Sequence, residues 1–340
     1  MKPREIFLAA LHRQTVPRAS TGSATSVVTT DLMGHAGVGF PEAHLDAGKM
    51  AALAETAVTV LGFDNIMPLF SVWHESAAFG CEVDWGDRNR MPTDKPCCSS
   101  LDTELVIPRD FLLRPSCTVP LKAIRELKRH HGDEFAILGK AFGPWTLGYH
   151  VFGVEPFLMA TLLEPDAIRR AMRKLIEVTV AFANAQVEAG ADALTLADHY
   201  TRDLCSPAAY RDFLQELHHE LHERIHCPII LHICGDTADR LVYLRETGLE
   251  CFHFDSKVPA AQARALAGQK LSLMGGTSNF TVVRNGTTAS ISQDVQEKLA
   301  AAIDIIGPEC AVPLDAPWVN LRTLAEEAKQ QSAATSQSYM

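Results

Sequence analysis

The stretch Pro228-Ile229-Ile230-Leu231-His232-Ile233-Cys234-Gly235-Asp236-Thr237 is an apolar run of strand length. It carries a histidine and a cysteine near its end and stops at a glycine. Residues two apart on a strand point to the same side, so the imidazole of His232 and the thiol of Cys234 face one spot. A nitrogen and a soft sulfur aimed at one point, at the end of a buried strand, supply two ligands of a zinc site. A third must come from elsewhere. The candidate is Cys310 in Gly307-Pro308-Glu309-Cys310-Ala311-Val312-Pro313-Leu314, where it opens another short apolar run that breaks at Pro313. The plainer reading is a pair of ordinary buried thiols, because free cysteine also packs as a small hydrophobe.

Outward from this strand one rhythm repeats: a short apolar run ending in polar or glycine residues, then a longer helical pattern. A first helix spans 3–13, with Ile6, Phe7, Ala10 and Leu11 at helical spacing. The expected strands are 16–21, 65–70, 135–141, 193–197, 229–234, 251–254, 271–274 and 310–314. Helix patterns lie over 164–189, which starts near Pro165 and ends before Gly190, over 206–226, which opens on Ser-Pro, and over 260–267 and 293–306. Strands alternating with helices predict an α/β fold with a parallel sheet, and eight of them close a (β/α)8 TIM barrel. The segment 80–120 breaks the rhythm with Pro92, Pro96, Pro108 and Pro115 and reads as a long excursion between strands two and three, over one end of the barrel. One domain is expected over 1–328, followed by a polar, disordered tail over 329–340. In this frame His232 and Cys234 end strand five and Cys310 starts strand eight. Three ligands then converge on the mouth with one position open, the pattern of a catalytic zinc.

Composition narrows the function classes. A 340-residue chain with 47% hydrophobic residues can bury a large core, and a formal net charge of −10 argues against a nucleic-acid partner. No apolar run is long enough to span a membrane. Nine cysteines, an odd count without regular spacing, and an N-terminus without a signal-peptide core predict a cytoplasmic protein with reduced thiols.

Beyond these patterns the chain resembles the zinc methyltransferases of the uroporphyrinogen decarboxylase superfamily, the methylcobamide:coenzyme M methyltransferases and their relatives. The marks are Phe40-Pro41-Glu42-Ala43-His44 with Lys49-Met50-Ala51, Gly143-Pro144-Trp145-Thr146-Leu147, Ala197-Asp198, His232-x-Cys234-Gly235 and Cys310. The resemblance implies zinc held by His232, Cys234 and Cys310. It also implies transfer of a methyl group between a methylated corrinoid and a small thiol such as coenzyme M. No D-x-H-x-x-G stretch is present to hold cobalamin, so the corrinoid is expected on a separate protein. Departures from the decarboxylases are plain: Val72 stands in Phe70-Ser71-Val72-Trp73 where they place an aspartate, and Val16-Pro17-Arg18-Ala19-Ser20 replaces their arginine-rich signature. The methyltransferases' Gly-Asn after strand seven reads Gly275-Gly276-Thr277-Ser278-Asn279-Phe280. The other readings are a methyltransferase with a different donor or acceptor such as a pterin, a metal-free tetrapyrrole decarboxylase, and a non-catalytic zinc or corrinoid chaperone.

Further polar residues are weaker candidates. Asp255 ends strand six as a fourth ligand, a proton acceptor or a supporting acid, and Asp198 with His199 ends strand four as a polar pair able to shape the pocket. His44 and Glu42 sit in a motif that loop packing explains equally well. Lys257 and Lys140 are candidates for an anionic group on the thiol substrate. His218, His222 and His226 form a helical stripe that reads as a solvated face, and Cys97, Cys98 and Cys117 read as loop thiols.

Overall fold

Eight parallel strands form the barrel: β1 (Ser20–Thr21), β2 (Asn65–Ile66), β3 (Ala136–Phe142), β4 (Ala193–Ala197), β5 (Ile229–His232), β6 (Cys251–Phe254), β7 (Ser272–Thr277) and β8 (Ile305–Pro308). The computed structural model describes residues 1–98, 100 and 105–337, without the side chains of 333–337. Each strand pairs in parallel with the next from β2 round to β8, and β8 pairs with β1. Helices pack outside: Pro165–Ala189 buries Ile168, Met172, Leu175 and Phe182, and ends at Gly190 in a left-handed conformation (φ 114°) that favours glycine.

Short β1 and β2 leave a seam, and two side chains close it. Asp64 N donates to Thr21 O at 2.8 Å, and Thr21 N donates to Asp64 Oδ2 at 3.0 Å. Ser23 N donates to Asn65 Oδ1 at 3.0 Å, and Asn65 Nδ2 donates to Ser23 O at 2.8 Å. Asp64 is fully buried, and its charge is met by the Arg18 guanidinium at 2.8 Å to each oxygen and by Lys329 Nζ at 3.2 Å. An aspartate therefore serves as backbone ladder and counter-ion in one place.

Several boundaries differ from those read in the sequence. Strand eight is Ile305–Pro308, so Cys310 lies two residues beyond its carboxyl end and does not start a strand. The preceding helix is Thr288–Ala300, and Ala302 at φ 55° turns the chain into the strand. Ile303, Ile305 and Ile306 fit the apolar face of a continued helix as well as a buried strand, which is why the pattern misplaced both elements. Cys310 still reaches the mouth. A strand beginning there would have put it at the opposite end.

The pattern over 206–226 divides into Pro207–Phe213 and Gln215–Arg224, with no proline or glycine to mark the break. The excursion contains a hairpin of Glu82–Asp84 and Thr93–Lys95, and its end is already helical, Pro115 opening the helix Pro115–His131. The polar stretch after Ala328 is not a disordered tail through residue 337: it finishes the helix Trp318–Gln337. Ala19 N donates to Ser332 Oγ at 2.9 Å and Gln331 Nε2 to Ser292 Oγ at 2.9 Å. Such contacts with distant segments carry no local signal. Residues 338–340 lie outside the described residues.

The seam gives a stability test. Removing one partner from a buried charge cluster leaves the others unpaired, which costs about 3–5 kcal/mol. Asp64→Ala should lower the unfolding free energy by about that amount, read from denaturant midpoints. A loss below ~1 kcal/mol, the scale of an exposed ion pair, would show that the backbone alone closes the barrel.

Candidate metal site at the barrel mouth

β5 ends at His232, and Cys234 follows two residues on. His232 Nε2 lies 3.0 Å from Cys234 Sγ, Cys234 Sγ lies 3.0 Å from Cys310 Sγ, and Cys310 Sγ lies 3.4 Å from His232 Nε2. The three candidate ligands read from the sequence thus form one triangle of donor atoms. His199 Nε2 stands 3.7 Å from Cys234 Sγ, and the donors of His199, His232 and Cys234 lie within 4.8 Å of one another.

The histidine is held in one tautomer by a neighbour that the sequence reading passed over. His253 on β6 is in register with His232 and fully buried, and burial pulls its pKa down to about 3, so the ring is neutral. Its Nε2 lies 2.8 Å from Pro308 O, which can only accept, so Nε2 carries the proton and Nδ1 is an acceptor. His253 Nδ1 lies 2.8 Å from His232 Nδ1, which therefore donates, leaving the Nε2 lone pair of His232 aimed at the two sulfurs. A Cβ on Gly275 would fall 2.5 Å from the His253 ring, and this glycine is also left-handed at φ 90°. The signal available in the sequence was a histidine inside an apolar run on the next strand, with paired glycines on the strand after.

The loops bearing the ligands are latched to one another. Asp255 accepts from Gly235 N and Lys257 N at 2.9 Å each, so both its oxygens hold backbone and it pins the turn after Cys234. Glu309 accepts from Ser256 N at 2.9 Å and Asn279 N at 2.7 Å, and burial raises its pKa. Asp198, fully buried, accepts from Thr146 N at 2.8 Å and Thr146 Oγ1 at 3.0 Å, and pairs with His218 Nε2 at 2.9 Å. Thr146 Oγ1 in turn accepts from His199 N at 2.6 Å, so Asp198 positions His199 through a threonine.

His218 is not on a solvated face. It is fully buried, with Tyr210 OH 2.9 Å from its Nδ1 and Asp198 on its other nitrogen, because the helix turns that side inward. His222 is part-exposed and faces Glu250 at 3.6 Å, and His226 lies beyond the helix end. Lys257 is exposed near Asp203 (3.5 Å), whereas Lys140 is buried on β3. Burial pulls Lys140 down to about 8 and lifts nearby Glu75 to about 7, each charge partly compensating the other. Glu42 is exposed; His44 is buried, its ring 4.1 Å from that of Phe40.

This donor set suits zinc, which takes sulfur at about 2.3 Å and nitrogen at about 2.0–2.1 Å in a tetrahedron, so ligand atoms end roughly 3.5–3.8 Å apart. The triangle here is tighter, its sulfur–sulfur edge at 3.0 Å by about 0.8 Å and its nitrogen–sulfur edges at 3.0 and 3.4 Å by less, so the side chains must rotate apart to admit the ion. The thiols are already differentiated: Cys310 accepts from Cys234, which holds Cys310 well below the ordinary thiol range and Cys234 well above it. Thiolate character is what a soft metal needs.

The uroporphyrinogen decarboxylase (URO-D) family pattern matches residues 2–331, and the chain belongs to that family. It is 30% identical over 331 residues to the methylated-thiol–coenzyme M methyltransferase of Methanosarcina mazei, covering 97% of this chain and 90% of that protein. The methylcobamide:CoM methyltransferase MtaA of Methanosarcina barkeri is 30% identical, covering 94% of this chain and 95% of its own. A uroporphyrinogen decarboxylase of Gloeobacter violaceus is 26% identical over 61% of this chain and 62% of that protein. Among solved structures, a methyltransferase from Methanosarcina mazei superposes with a TM-score of 0.93 at 27% identity, covering 97% of this chain and 99% of that one.

Two measurements test the site. Purified protein should carry about one zinc per chain, and Cys234→Ala or Cys310→Ala should lose it without changing the far-ultraviolet circular dichroism. Both variants keeping stoichiometric metal would overturn the ligand set. His253→Phe, which removes the group that orients His232, should weaken zinc binding about 10–100-fold, read by chelator competition.

Proposed function

We propose that this chain is a zinc-dependent methyltransferase that moves a methyl group between a methylated corrinoid carried on a separate protein and a small thiol such as coenzyme M. The observation that carries the reading is the triangle of His232 Nε2, Cys234 Sγ and Cys310 Sγ at the carboxyl end of the barrel, in a chain matched over nearly its whole length by methyltransferases named for methylcobamide and coenzyme M. His232, Cys234 and Cys310 hold the metal. Bound there, zinc supplies the positive charge that favours a substrate thiolate over its thiol. His253 keeps the His232 lone pair directed at the site, and the Asp255 and Glu309 latches hold the two sulfur-bearing loops at their spacing. His199, 3.7 Å from Cys234 Sγ and kept neutral by burial, which lowers its pKa, is the group placed to take the proton of an incoming thiol and, as a weak base, to pass it on to solvent. Asp198 orients His199 and Asp255 orients Cys234; we assign both as positioning residues. Among the described residues no helix is long and apolar enough to cross a membrane.

The test follows the thiol proton. An alkyl thiol has a pKa near ~8.5, so it is mostly protonated at neutral pH. Adding it to the zinc-loaded protein at pH 7 should release close to one proton per site if coordination replaces the proton. Calorimetry in two buffers of different ionisation enthalpy measures this, and zinc-free Cys310→Ala should show neither heat nor release. Methylcobalamin with a panel of acceptors then identifies the reaction. Transfer to a pterin without detectable thiol binding would sink the thiol assignment.

A further inference from the structure

A second group of thiols lies outside the metal site, at the base of the hairpin in the excursion. Cys81 immediately precedes the strand Glu82–Asp84, and Cys97 follows the strand Thr93–Lys95. The hairpin register, Glu82 opposite Lys95, brings both strand ends together and places the sulfurs 2.7 Å apart, with the Cys81 S–H directed at Cys97. Cys97 N and Cys98 N both donate to Val151 O, at 3.1 and 2.9 Å, which pins this segment to the helix Pro144–Phe152. The pair is therefore held together from both sides.

We propose that Cys81 and Cys97 form a redox-active dithiol that undergoes exchange with low-molecular-weight disulfides, independently of methyl transfer. The two cysteines are unlike in the way this chemistry requires. Cys97 is exposed, whereas Cys81 is buried. Accepting the hydrogen bond from Cys81 pulls Cys97 down to about 7, while the same bond and burial push Cys81 up. Asp94, 3.2 Å from His150, opposes thiolate formation at both sulfurs without reversing the order. In the first step the Cys97 thiolate attacks one sulfur of the incoming disulfide, forms a mixed disulfide and expels one thiolate. That thiolate takes the Cys81 proton, and Cys81 then attacks Cys97 Sγ and expels the second thiolate, which is protonated by solvent. Two protein thiols lose two electrons to a disulfide bond, and the small disulfide is reduced to two thiols. Cys98 also neighbours Cys97, but adjacent cysteines close only a strained ring.

The experiment treats the full, zinc-loaded chain with 2-hydroxyethyl disulfide at pH 7, alkylates the remaining thiols and maps the peptides by mass spectrometry. The expected result is a Cys81–Cys97 link with zinc retained and Cys97 reacting first. Its rate should exceed that of a thiol of ordinary pKa by roughly threefold to fourfold, the larger thiolate fraction being partly offset by lower nucleophilicity. Cys81→Ser should trap the mixed disulfide on Cys97, and Cys97→Ser should leave Cys81 unmodified. A Cys97–Cys98 link, a lasting mixed disulfide in the wild-type chain, or no reaction at Cys97 would each overturn the proposal. So would a second zinc per chain that is lost in either variant.

Discussion

The candidate site depends on one run of hydrogen bonds across three strands, from Pro308 O through His253 to His232. A neutral imidazole has one proton, and burial keeps His253 neutral. The carbonyl claims that proton, so His232 must donate from Nδ1 and present a bare Nε2 to the sulfurs. Everything around the run serves it. Gly275 leaves room where a side chain would strike the ring, and the β5–β6 register sets the two histidines side by side. Without His253, His232 could carry its proton on Nε2 and present no lone pair to the two sulfurs.

Acidic side chains do architectural work across this barrel. Asp64 closes the seam where strands are too short to pair, Asp255 and Glu309 tie one loop to the next, and Asp198 reaches His199 through Thr146. Each carboxylate accepts from backbone or fixed donors, which satisfies a buried charge and orders a loop. A cluster of acids at a barrel mouth invites a catalytic reading of every one. Their hydrogen bonds show most of them occupied.

The same family hosts decarboxylases, and the interior of this barrel is built differently from the pattern expected of them. Val72 packs against the core where they place an acid, and the neighbouring Ser71 Oγ accepts from Trp73 N at 2.9 Å. Buried polar groups here include Glu75 and Lys140: burial lifts the first to about 7 and pulls the second down to about 8, and their mutual attraction offsets only part of either shift. A sulfur-rich mouth above such an interior accords with thiol chemistry.

The barrel was legible in the sequence because alternation of apolar runs and helical patterns is a local property, imposed by strand and helix periods on neighbouring residues. His232 and Cys234 were legible as a pair from their two-residue spacing at the end of an apolar run, although the strand stops at His232 and it is the turn after it that brings Cys234 alongside. Cys310 stood out in the sequence as a thiol on a short apolar run and joins the other two donors, but its place was misjudged, since Ile303 to Ile306 suit a helix face and a buried strand alike. The tertiary structure alone decided what depends on distant partners. His253 became the group that sets the His232 tautomer only when β5 and β8 brought His232 and Pro308 to its two ring nitrogens, and His218 turned from surface stripe to buried partner of Asp198 when its helix docked. The final helix runs past Ala328 because Gln331 and Ser332 meet Ser292 and Ala19, contacts whose energy no local window contains. Periodicity records which face is buried; only folding determines which atoms that face meets.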